Sequence, residues 1–285
     1  MQRFLHRKKS ETQTAKKVPS GTRMMTMLLL LVAAVGMYHV LQEIYSVQHA
    51  QQVHAALADS VAAVRAEEAQ ATAPPPEQPA ATPFRELEPT EEPAPQILPQ
   101  YQELYAENND MIGWIKIEGT SIDYPVMYTP DDEKYLYQNF YGESSPSGMI
   151  CMDHRCQPDS DNLIIHGHKL IQGTMFTDLF KYAKKGFWQK HPVIHFDTLY
   201  EQQDFEVLAA FYDKVYLNTD TCFKYYDFIT AADTDEFDAA IAYYKENELY
   251  DTGVTAEYGD QLITLTTCSY HEKNGRFIVV AKKIR

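Results

Sequence analysis

The chain has 285 residues, 23% of them charged, and a formal net charge of −15. Residues 1–23 hold seven Lys/Arg against the single acid Glu11, a surplus of six, so the rest of the chain carries −21. A body this acidic has little to neutralise phosphates, which argues against nucleic-acid binding, and its length allows one or two domains.

In chain order, the basic segment 1–23 reads as a cytoplasmic tail. Met24–Leu41 (M-M-T-M-L-L-L-L-V-A-A-V-G-M-Y-H-V-L) is the only long apolar run. It is close to the roughly 17–25 residues needed to cross a bilayer. Basic residues precede it and none directly follows, which predicts the N-terminus inside and the remainder outside. No small-x-small cleavage site follows, so a transmembrane signal anchor is favoured over a cleaved signal peptide. Residues 42–71 show helical spacing (Leu41, Ile44, Val53, Leu57, Val61, Val64) and read as a helical stalk. Residues 72–97 read as a Pro/Glu/Ala-rich linker, since nine of the chain's fifteen prolines fall within Thr72–Pro99. That composition buries too little to fold and favours an extended spacer.

The folded domain is expected over 98–285. Leu98–Asn108 is a short helical pattern, after which the period changes to strand alternation from Ile112. There Ile115 and Ile117 alternate with Trp114, Lys116 and Glu118, and a Gly-Thr turn leads to Ile122 and Val126. Further strands are expected at Gly148–Met152, Asn162–His166, Val193–Thr198, Asp204–Tyr212, Leu262–Thr267 and Phe277–Lys282. Short strands separated by turns favour a mainly β, closed barrel over a doubly wound sheet. Asp235–Leu249 is the one clear helix in this region, with Thr234 as its expected N-cap and Phe237, Ile241 and Tyr244 as its apolar stripe.

Two stretches carry chemistry. In N-L-I-I-H-G-H-K-L (Asn162–Leu170) an apolar strand ends at His166-Gly167-His168, and the glycine is expected to permit a sharp exit that leaves His168 at the strand mouth. Surface histidines are the commoner outcome of such a pair, and a metal site built from it with Asp153 or His154 is not expected. In L-I-T-L-T-T-C-S-Y-H-E-K-N-G-R-F-I-V-V (Leu262–Val280) a strand ends at Cys268, Asn274-Gly275 marks a turn, and Arg276 opens the next strand. A thiol facing a fixed cation across a hairpin suits a nucleophile, whereas most strand-end cysteines are small buried hydrophobes. Of the other cysteines, Cys151 is expected in a strand core and Cys222 partly buried, with no structural disulfide involving them or Cys156.

T-L-T-T-C-S-Y with Arg276 eight positions after the cysteine resembles the T-L-x-T-C…R signature of sortases, and I-I-H-G-H-K-L resembles the strand that bears their catalytic histidine. N-D-M-I-G-W-I-K-I-E-G-T-S-I-D-Y-P-V-M, Y-L-Y-Q-N-F-Y-G and S-G-M-I-C-M-D-H-R are similar to the class B branch, over roughly 98–285. The resemblance implies a barrel of about eight strands and a membrane-anchored cysteine transpeptidase of Gram-positive bacteria. In that enzyme Cys268 would be the nucleophile, His168 the general acid/base and Arg276 the cation beside oxyanion and substrate. Thr266 and Thr267 would line the substrate groove, with Asn139 and His166 as further pocket residues; His166 stands where many class B members have Tyr. No cofactor or metal is implied. The implied partners are surface proteins with a C-terminal sorting signal of N-P-x-T type and a peptidoglycan amine. A pilin-polymerising sortase using a Lys amine, and a non-catalytic wall-binding β-domain, are the alternatives. An L,D-transpeptidase fits less well, because Cys268 lacks that family's Gly-Cys context.

Overall fold

The structure, a computed structural model, describes residues 20–71 and 96–285. The tail expected over 1–23 and the linker expected over 72–97 lie almost wholly outside the described residues. The first helix, α1 (Ser20–Ala71), is unbroken. It enters two compact units, residues 1–45 and 46–285. In the first unit its side chains from Met24 to Tyr45 are exposed, and most of them are apolar. An 18-residue window with mean hydropathy 2.1 makes it long and apolar enough to cross a membrane.

The second unit is a closed barrel of eight strands in the order β1-β2-β3-β4-β7-β8-β6-β5. They are β1 (Met111–Lys116), β2 (Asp123–Met127), β3 (Ile150–Met152), β4 (Asn162–His166), β5 (Val193–Thr198), β6 (Asp204–Lys214), β7 (Leu262–Cys268) and β8 (Gly275–Lys283). Preceding them is α2 (Pro99–Glu107); the short α3 (Lys185–Trp188) lies between β4 and β5, and α4 (Thr234–Asn247) between β6 and β7. The β2–β3 and β4–β7 pairs are parallel and the remaining pairs antiparallel.

Side-chain alternation explains why β8 reads as an unbroken apolar run. Phe277, Val279 and Ala281 point into the barrel beside Ile164, Phe196, Phe205 and Leu265. Ile278 and Val280 point outward, where Phe237, Ile241 and Tyr244 of α4 cover them. A strand buried on both faces carries no polar alternation. The N-cap of α4 is Asp233, whose carboxylate accepts from the Glu236 backbone N–H at 3.0 Å. The expected cap, Thr234, is instead the first helical residue, because the Asp233 carboxylate sits where it can accept from the N–H of the third helical residue.

A third apolar layer changes the expected organisation. Within the second unit, the part of α1 expected as a helical stalk lies against the barrel: Val53, Leu57 and Val61 pack with Tyr101 and Leu104 of α2 and Trp114 of β1. Arg65 of α1 donates to Asp197 Oδ2 at 2.8 Å, and the buried Tyr101 hydroxyl donates to the same oxygen at 2.6 Å. The apolar positions of the supposed stalk are thus a docking stripe for β1 and α2, and its helical period is that of an ordinary core helix. Leu57, 2% exposed, is its most enclosed leucine. Leu57→Ala is expected to destabilise the protein by about 2–5 kcal/mol through lost burial and the resulting cavity. Thermal unfolding and protease sensitivity of the segment 46–71 check this; an unchanged midpoint would show that the layer contributes little.

Candidate active site

The strand register brings the thiol and the guanidinium together. β7 and β8 run antiparallel with Cys268 directly opposite Arg276. The connection holds this register through a bond from the Ser269 N–H to the Gly275 carbonyl at 2.8 Å and through Asn274 at φ +58°. Asparagine tolerates that left-handed conformation. Gly275 is required for a separate reason: a Cβ there would lie 2.6 Å from the Ser269 carbonyl oxygen.

His168 reaches the same place from β4. β4 lies parallel to β7 with His166 opposite Thr266, and the Gly167 N–H donates to the Thr266 carbonyl at 3.2 Å. Gly167 does not mark a left-handed exit. It is needed because a Cβ would lie 2.6 Å from both Ile150 Cδ1 and Phe176 Cγ. The next residue, His168, emerges half-buried with its Nε2 2.8 Å from the Leu136 carbonyl. A carbonyl can only accept, so Nε2 carries a proton and Nδ1 is left to exchange one. Tyr137 stands beside the imidazole at a 6.4 Å ring separation.

Cys268, His168 and Arg276 line one cleft of about 340 Å³, together with His166, Thr266 and Thr267. Cys268 and Arg276 are both half-buried. The Arg276 guanidinium donates to its own turn, at 3.1 Å to the Gly275 carbonyl and 3.4 Å to that of Asn274. Among the described residues no carboxylate lies within ion-pair distance of it. A guanidinium without an anion partner beside a thiol can stabilise either a thiolate or an oxyanion.

The remaining expected residues divide. Thr266 is buried and shares a 2.9 Å hydrogen bond with the Tyr225 hydroxyl. Thr267 is buried with its hydroxyl unpartnered, next to the thiol. His166 bonds Asp153 Oδ2 through Nε2 at 3.1 Å. Asn139 does not line the cleft. Its side chain is spent on its own loop, accepting from the Tyr141 and Glu143 N–H groups and donating to Glu143 Oε2. The Asn in Y-L-Y-Q-N-F-Y-G thus closes an Asx-type loop.

Several cleft residues escaped the sequence reading, namely Leu136 through its carbonyl, Arg155, Tyr225 and Tyr226, and Asp153 figured there only as a metal ligand. Asp153 is 4% exposed. Burial alone would raise its pKa, but hydrogen bonds from His166 and Arg155 outweigh that and hold its carboxyl well below the usual range. The D-H-R of S-G-M-I-C-M-D-H-R was the available signal, a carboxylate two residues from an arginine. A larger cavity, 620 Å³, opens at the opposite end of the barrel among Met111, Ile112, Leu163, Phe196 and Gln261. No thiol or imidazole lines it, so size does not select the site; chemistry does.

All four cysteines are free thiols. Cys151 and Cys156 are buried, and burial pushes their pKa values up to about 12 and about 11. Cys222 is exposed rather than partly buried, because it lies in the irregular segment between β6 and α4. At neutral pH iodoacetamide is expected to label Cys268 and Cys222 in the native protein, and Cys151 and Cys156 only after unfolding. Peptide mass spectrometry reads the order; early labelling of Cys151 would contradict the burial.

A closed eight-strand barrel is the fold that the resemblance to sortases implies. The sortase-domain family profile matches residues 115–284. Sortase B of Staphylococcus aureus is 33% identical over 196 residues, which is 66% of this chain and 76% of the relative. Sortase B of Listeria monocytogenes is 30% identical over the same shares. The structure of a Staphylococcus aureus sortase B–substrate complex superposes with a TM-score of 0.60 at 31% identity, over 67% of this chain and 87% of that one. The chain belongs to the sortase family, in its class B branch, and is a sortase transpeptidase.

Proposed function

We propose that this transpeptidase cleaves a C-terminal sorting signal after its Thr, holds the protein as a thioester on Cys268, and transfers it to a peptidoglycan amine. The observation that carries the proposal is the cross-strand pairing of Cys268 with Arg276 in a cleft shared with His168.

The chemistry follows from those three groups. The Cys268 thiolate attacks the scissile carbonyl carbon; the C–S bond forms and the carbonyl electrons move to oxygen. Arg276 donates to that oxyanion, a stabilisation worth about 2.7–4 kcal/mol when the donor is fixed in place. His168, held through Nε2–H, delivers a proton from Nδ1 to the leaving amine as the C–N bond breaks. An incoming amine then attacks the thioester carbonyl, loses its proton to His168 and expels the thiolate. Transfer prevails over hydrolysis when the cleft admits the amine ahead of water.

The resemblance to class B sortases implies a signal of N-P-x-T type, and wall anchoring is proposed ahead of pilus polymerisation. The apolar helix supports a membrane tether, with the N-terminus inside and the catalytic unit outside, following the charge flanking Met24–Leu41. The test is a peptide library of N-P-x-T and related signals with a trapping amine, followed by intact mass. The expected result is cleavage after Thr and an acyl adduct on Cys268. Absence of any adduct or cleavage across the library would overturn the assignment.

A further inference from the structure

We propose that Arg155 is a positioning residue for the peptide substrate: it ties the turn after β3 to the Tyr225–Asp227 segment and so fixes the wall of the cleft opposite Cys268. The inference rests on the transpeptidase reading above and concerns how the acyl half of the peptide is held.

Every face of this guanidinium is engaged. Nε and Nη2 form a fork on Asp153, at 2.9 Å to Oδ1 and 3.0 Å to Oδ2. Nη2 also donates to the Tyr226 carbonyl at 2.7 Å, and Nη1 to Asp227 Oδ1 at 3.2 Å. Asp153 is buried, and its Oδ2 also bonds His166. The neighbouring Tyr225, likewise buried, bonds Thr266, two residues before the thiol. Thr266 is in turn the ladder partner of His166. A closed ring results, running His166, Asp153, Arg155, Tyr226, Tyr225, Thr266 and back to His166.

That ring is the polar attachment of an irregular segment whose Phe223, Tyr225 and Phe228 side chains also pack against β6, β8 and α4. Residues 215–233 join β6 to α4 without helix or strand. Their later part is fastened independently, by Asn162 to the Phe228 and Ile229 carbonyls and by the Ala231 N–H to Asp161. Cutting the Arg155 contacts therefore loosens the cleft-facing backbone at Tyr226 and Asp227 while the aromatic packing and the barrel stay anchored. The contrast with Arg276 assigns the roles: Arg276 has no carboxylate partner among the described residues, whereas the donors of Arg155 are committed to protein acceptors. Arg155 shapes the groove and does not serve the reacting carbonyl.

The experiment uses the full-length chain with a cleavable sorting peptide, and measures kcat, KM and the rate of Cys268 alkylation by iodoacetamide. The reagent is small and needs no peptide groove. Arg155→Ala is expected to raise KM about tenfold with kcat within about threefold, the signature of binding lost equally from ground and transition states. The alkylation rate should be unchanged. Arg155→Lys should recover part of the KM, since an ammonium can reach one acceptor but not reproduce the fork. Tyr225→Phe opens the ring at its other end and should raise KM in the same direction, which decides the matter if Arg155→Ala does not fold. An unchanged KM in both ring variants, or a fall in kcat and alkylation rate together, would overturn the proposal. If the wild-type chain itself forms no acyl adduct, the transpeptidase assignment fails instead, and the two failures are distinct.

Discussion

Replacing Cys268 with alanine is expected to bring peptide cleavage and transfer down to background, a loss on the order of 10⁴-fold or more, because no other group can form the acyl bond. The fold should survive. Cys268 is half-buried at the strand end, outside the three apolar layers, and surface changes of this size usually shift stability by about 0.5 kcal/mol or less. A melting curve superimposable on the wild type, with no acyl adduct in intact mass, is the expected pair of results. Substantial turnover by this variant would transfer the nucleophile's role elsewhere. Cys222, the other accessible thiol, would be the first group to test, although it lies outside the cleft.

Arg276→Lys is expected to lower kcat by about 10²–10³-fold, the cost of losing one fixed oxyanion donor. Lysine keeps the charge but not the planar fork of donors. In the resting site that fork is steered by two main-chain carbonyls of its own turn, which hold the guanidinium beside its cross-strand partner. A lysine ammonium is a point charge on a flexible stem and would not keep that aim. Comparing peptide turnover with Cys268 alkylation separates the two contributions of the cation. If only turnover falls, the guanidinium acts on the oxyanion; if alkylation falls in step, it also stabilises the thiolate. Near-normal turnover by Arg276→Lys would remove it from the reaction.

Much of the barrel was legible in the sequence because its strands are bounded by turn chemistry. Asn162–His166 and Val193–Thr198 have the expected limits, and the β7–β8 hairpin follows from Asn274-Gly275 between two apolar runs. The residues at this hairpin's mouth were visible for the same reason, since register places Cys268 across from Arg276. What was hidden depended on distant partners. The packing of α1 against β1 could not be separated from a stalk, because an apolar stripe at helical spacing looks the same whatever covers it. The capping role of Asp233 was masked by an adjacent threonine that fits the same rule. Arg155 is an exposed residue in an unremarkable D-H-R, between the buried Asp153 and Cys156, and its partners Tyr226 and Asp227 are more than seventy residues away.

The parallel β4–β7 pair has a consequence for biogenesis. Asn162 pairs with Leu262, one hundred positions later in the chain. Closing a loop that long is entropically costly, so this contact forms late compared with hairpins such as β7–β8. His168 lies two residues beyond the end of one of these strands and Cys268 ends the other, so the two side chains come to share a cleft only once this late pair has closed.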